Sequence, residues 1–153
     1  MIKLEVKNQR QFERQMRKFA KRSHEKFTDE LFDATEKGVK MSKRRAPKDE
    51  GDLWQNIHSN YRNNMQTGEI ISEKNYSAAV EHGTKPHHIR IKSKSVLAGP
   101  IRKAPPGWAV RSGEYAIYGT KVQHPGTQPQ PFMMPGFKFA KKKFMDGLRR
   151  VFK

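Results

Sequence analysis

The chain has 153 residues, 32 of them Lys or Arg against 15 Asp or Glu, so its formal net charge is +17, and only 34% of it is apolar. That length suits a single domain, residues 1–153, with a modest core, and the charge favours polyanionic partners while opposing self-association unless an interface neutralises it. The absence of cysteine excludes disulfides and thiolate metal sites. No apolar run approaches the ~20 residues of a membrane helix and the first residues lack a signal peptide's apolar core, so the expectation is a chain made and used in solution, with no membrane partner.

In chain order, "MIKLEVK" alternates Ile2, Leu4 and Val6 with charged residues, the pattern of a short half-buried strand. Asn8 follows as a helix cap, and from Gln9 to Arg45 only Gly38 interrupts good helix formers. Phe12, Met16, Phe19, Phe27, Leu31, Ala34 and Met41 recur at spacings of three or four once Ser23 and Gly38 fill the gaps, which predicts one buried face. A helix of that length spans ~55 Å, so either part of it extends beyond its own core or it kinks at Gly38. Pro47 ends it.

"PKDEG" is a turn, and Leu53, Trp54 and Ile57 restart burial. "IHSNYRNNMQTGEIIS" reads as a hairpin turning over 63–68. "NYSAAVEH" reads as a third strand closed by Gly83, and "HHIRIKS" as another with Ile89 and Ile91 on one face. Residues from about 92 to 113 hold three prolines and three glycines and suggest a mobile arm, with Trp108 as its anchor on a partner. "EYAIYGTKVQ" returns to strand, and "FKFAKKKFMDGLRRVF" is a last amphipathic helix with Phe137, Ala140, Phe144, Leu148 and Val151 on one face. The sum is α+β: a long N-terminal and a C-terminal helix packed on a small, mainly antiparallel sheet, with a Pro/Gly-rich loop arm.

Four chemistries compete for these residues. Glu81, His82, His87, His88 and His124 are metal-ligand types, but adjacent histidines on a strand point to opposite faces and no helix carries His-x-x-x-His. No serine sits in a nucleophile elbow and no glycine-rich phosphate cradle occurs, so neither catalysis nor a cofactor is expected. "HHIRIKSK", "KRR" at 43–45 and "KKK" at 141–143 could meet phosphates without reading sequence. A basic nucleic-acid-binding protein or toxin-like nuclease is thus the alternative to the fourth chemistry, partner binding by loops and sheet edges. His87, His88, Arg90, Lys92, Arg102, Lys103, Trp108 and Arg111 are the interface candidates.

Three blocks in order favour the fourth reading. "RRAPKDEGDLWQNI", "YSAAVEHGTKPH" and "HPGTQPQPFMMPGF" resemble the signatures of minor tail components of tailed double-stranded-DNA phages, also called neck, head–tail joining or tail-completion proteins. Ser77 and Gly136 stand where that family usually has alanine, the latter weakening the start of the last helix. The resemblance implies a structural virion protein without catalysis. It would act as an oligomeric ring between the head connector or adaptor and the tail tube or tail terminator, assembled in the host cytoplasm, with non-specific DNA contact in a channel. It also implies architectural roles. Pro47, Gly51 and Leu53 would fix the helix-to-sheet corner, and Tyr76, Val80 and Glu81 would form a strand. Gly83 and Thr84 would make its turn, His124, Pro125, Gly126 and Thr127 a second turn beside it, and Pro131 and Phe132 would anchor the last helix.

Overall fold

The structure, a computed structural model, describes residues 8–49, 51–90, 97–100, 110–112 and 115–152. The strand expected over residues 1–7 lies outside them. The elements are α1 (Gln9–Arg45), α2 (Asp52–Gln55), β1 (Ile57–Arg62), β2 (Thr67–Ser72), α3 (Ser77–His82), β3 (His87–Arg90), β4 (Leu97–Pro100), β5 (Val110–Ser112), β6 (Tyr115–Gly119), β7 (Lys121–His124) and α4 (Met133–Val151). The class is α+β, and every strand pair is antiparallel. The described strands form three small sheets, β1-β2, β3-β7 and β4-β6-β5. Residue contacts gather into two compact units, residues 1–77 with 131–153, and residues 78–130.

In the first unit α1 runs unbroken through Gly38, because that glycine is where α4 comes closest. A Cβ built on Gly38 would lie 2.7 Å from the Ala140 Cβ and 2.7 Å from Ile70 Cδ1; one on Gly136 would overlap Ser42 Oγ and sit 2.8 Å from the Gly38 carbonyl. Small residues therefore let two backbones approach, and the helices run antiparallel from this crossing to Phe27, whose ring meets Phe144 edge-on at 5.3 Å. Glu30, between Phe27 and the crossing on α1, reaches Arg150 at 3.8 Å. Gly136 is thus a packing residue, and α4 begins three residues before it, at Met133, with Phe132 fully buried at its cap. Pro135 sits in the first turn, where a missing N–H costs nothing.

The β1-β2 hairpin turns at Asn63, Asn64 and Met65, all with positive φ, and lies on α1. Tyr61 stacks on Phe32 with ring centroids 5.4 Å apart. The Ser59 and Tyr61 hydroxyls both donate to Glu36 Oε1, at 2.5 and 2.9 Å. Burial first, and then that carboxylate, pushes the Tyr61 phenol up to about 12. Ala34, Val39, Ala46, Leu53, Ile57 and Phe132 are the buried apolar residues of this unit.

Three expectations are corrected here. Phe12, Met16 and Phe19 are 57%, 48% and 62% exposed, and the buried positions of α1 are Ala34, Thr35, Gly38, Val39 and Ser42. The apolar periodicity was real, but α4 ends at Val151 and covers that face only from Phe27 onward. Phe137 is 56% exposed, because the close approach selects Gly136 and Gly147 for the inner face of α4. The segment from Ser77 to His82 is a helix rather than a strand; Ala78 and Ala79 favour helix locally, and among the described residues no strand pairs with it.

Candidate functional site

In the second unit the two Gly-Thr turns of the second and third sequence blocks meet. Gly83-Thr84-Lys85-Pro86 and Gly126-Thr127-Gln128-Pro129 share the pattern G-T-x-P, and the fold sets one against the other. The Thr84 N–H donates to the Thr127 carbonyl at 3.0 Å, and the Thr127 N–H to the Thr84 carbonyl at 3.1 Å. The two hydroxyls lie 3.1 Å apart, and the Thr127 N–H also reaches Thr84 Oγ1 at 3.0 Å. Both glycines are left-handed, with φ of 70° and 86°. A Cβ on Gly83 would overlap the Thr127 carbonyl and lie 2.8 Å from the Pro129 nitrogen; one on Gly126 would overlap the Thr84 carbonyl and lie 3.1 Å from the Pro86 nitrogen. Each turn thus occupies the space that a side chain on the other would need.

From this clasp β3 and β7 run as a two-stranded ribbon, with His87 opposite His124, Ile89 opposite Val122 and Arg90 opposite Lys121. The His87 and His124 rings stack at 5.0 Å. Each is tied to nearby main chain. The His87 Nδ1 lies 2.9 Å from the Lys85 carbonyl, to which it must donate, and the His124 Nδ1 accepts from the Gly126 N–H at 3.0 Å. The bonds assign opposite tautomers to the pair when both are neutral. Among the described residues no three His, Asp or Glu side chains converge as a metal site.

Glu81 is buried in α3, and the Val80 carbonyl accepts from the Gln130 N–H at 2.8 Å. His87, His88 and Arg90 are exposed along β3. Lys92, Arg102, Lys103 and Trp108 lie outside the described residues. Within the span 92–113 expected to be a mobile arm, Leu97–Pro100 and Val110–Ser112, the latter containing Arg111, pair with β6.

In the first unit Pro47 follows α1, Gly51 caps α2 with a φ of 82°, and Leu53 is buried. Tyr76 sits before α3, its hydroxyl donating to Asp52 Oδ2 at 3.3 Å. Lys74 bonds the other oxygen of Asp52 at 2.8 Å, and this hydrogen bond and charge hold the carboxyl below its usual range. Reading the sequence did not foresee the Gly38–Gly136 crossing or the interlocking of the two turns. The repeated G-T-x-P was the available signal for the second.

Residues 10–83, just under half of the chain, match the model of a family described as "Bacteriophage HK97-gp10, putative tail-component". No curated protein and no solved structure matches the chain. The matched stretch holds α1, α2, the hairpin, α3 and Gly83, and includes the first of the three motif blocks and most of the second. The resemblance to tailed-phage tail components read from those motifs therefore stands.

Proposed function

We infer from that match that the chain is a structural virion protein of the phage tail, and we propose that it is a neck or tail-completion subunit that joins head connector to tail as a ring, without catalysis. The observation that carries the ring is a pair of bare apolar stripes in one unit. Phe12, Met16 and Phe19 continue the face of α1 that α4 covers farther along. Phe137, Met145 and Phe152 are exposed on one side of α4. The occupant of the first stripe is the second stripe of a neighbouring copy. Two different patches on one chain make a head-to-tail interface, which closes into a ring when the rotation per subunit permits. Arg10, Arg14, Arg17, Lys18 and Lys21 lie on the side of α1 away from this stripe.

Phe12→Asp and Phe137→Asp test the geometry, since both side chains are exposed and neither change disturbs the core. Each variant alone should sediment as a monomer where the wild type oligomerises. An equimolar mixture should form a dimer, because each variant retains the face that the other lacks. A mixture that stays monomeric would refute the head-to-tail contact. Incubation with DNA and RNA, with and without divalent metal, should leave both intact; cleavage lost on changing His87, His88 or His124 to Ala would favour a nuclease instead.

A further inference from the structure

The side of α1 opposite its aromatic stripe carries Arg10, Arg14, Arg17, Lys18 and Lys21. At 100° per residue these five fall within a sector of about 100°, centred about 180° from Phe12, Met16 and Phe19, and they extend over ~16 Å of helix axis. All five are exposed. Among the described residues none of them pairs with a carboxylate. The nearest acid, Glu13, instead accepts a hydrogen bond from Gln9 Nε2 at 3.1 Å. A surface concavity of about 370 Å³ is lined by these five cations and Glu13. Like charges at spacings of three and four repel along a helix, and among the described residues no ion pair to these five relieves the repulsion. A linear polyanion would.

We propose that this row is a contact surface for the phosphate backbone of double-stranded DNA, bound without regard to sequence, so that α1 meets DNA on one side and protein on the other. A lipid surface fits less well. A helix lying in a membrane interface presents its apolar stripe and its flanking cations to the same plane, whereas here they face opposite ways. The proposal deepens the reading of the chain as a head–tail joining subunit and rests on it only for the source of the DNA. Binding is a property of the isolated chain.

The test is fluorescence anisotropy of a labelled 30-base-pair duplex with the full chain over a series of KCl concentrations. Arg14→Glu/Arg17→Glu/Lys21→Glu is compared with Lys141→Glu/Lys142→Glu/Lys143→Glu, which makes the same change in net charge on α4; circular dichroism checks that both keep their helices. The α1 variant should lose about 30-fold or more in affinity near 0.1 M salt. Its log–log salt slope should fall by roughly 2–3, about 0.9 for each phosphate contact removed. The α4 variant should lose less than about 3-fold. Equal losses in both variants would reduce the effect to net charge and overturn the proposal. So would tighter binding to poly-glutamate or to phosphatidylserine vesicles than to the duplex. Such failures leave the ring untouched, because ring formation is read separately from the mixed Phe12 and Phe137 variants.

Discussion

Replacing Gly136 by alanine tests the helix crossing that organises the first unit. The added methyl would overlap Ser42 Oγ and lie 2.8 Å from the Gly38 carbonyl and 3.1 Å from the Ser42 Cβ. The carbonyl belongs to the α1 backbone, so relief requires the helices to separate. Overpacking of this kind costs about 1–3 kcal/mol, while the gain in helix propensity from glycine to alanine returns about 1 kcal/mol. The net expectation is a loss of up to about 2 kcal/mol, or up to roughly 4–8 °C in Tm for a chain of this size. Gly147→Ala is the control within the same helix. The three atoms nearest its methyl all belong to the Glu30 side chain, whose carboxylate end overlaps it and whose Cγ lies 3.2 Å away. That flexible chain can swing aside, so Gly147→Ala should be neutral or stabilise by up to about 1 kcal/mol. Ser42 is fully buried and its hydroxyl has no hydrogen-bond partner among the described residues. Ser42→Ala should therefore cost little by itself and should recover part of the Gly136→Ala loss, leaving the share due to the Gly38 carbonyl. Thermal and urea unfolding followed by far-ultraviolet circular dichroism supply all four values. Gly136→Ala and Gly147→Ala raising the Tm equally would refute the close approach.

The clasp of the second unit predicts that Gly83→Ala and Gly126→Ala each destabilise it by about 2–4 kcal/mol, from left-handed strain plus overlap with a carbonyl; hydrogen exchange of the Thr84 and Thr127 amides would report the opening. Phe27→Ala should cost about 2 kcal/mol in the isolated subunit through its contact with Phe144. Phe12→Ala should cost under about 0.5 kcal/mol there by the same denaturation assay, its penalty appearing only on oligomerisation. Because the folded pKa of Tyr61 is raised, the unfolded chain loses the phenolic proton first. Stability should therefore be intact below about pH 10 and fall as pH rises through about 12. Tyr61→Phe should remove that slope in alkaline unfolding curves.

Much of the architecture follows from local rules. The span Gln9–Arg45 was legible because nothing in it stops a helix before Pro47. The hairpin was legible because its polar turn separates two β-forming runs, and β6 and β7 because their composition favours extended backbone. Local rules failed where the outcome depends on what lies alongside. Apolar periodicity shows that a face can be buried but not where its covering ends. Phe12, Met16 and Phe19 thus repeat the pattern of Phe27 and Leu31, yet lie beyond the reach of α4. Gly38 and Gly136 look like weaknesses in a helix when read alone, and only the crossing of α1 and α4 turns them into points of contact. Residues 77–82 were too short for periodicity to separate helix from strand. The two Gly-Thr turns, 43 residues apart in sequence, form one clasp because each closes a space that a side chain on the other would fill. The sequence alone determined which segments could form helices, strands and turns; the tertiary structure decided which of their faces are covered, since covering requires a partner that no local pattern contains.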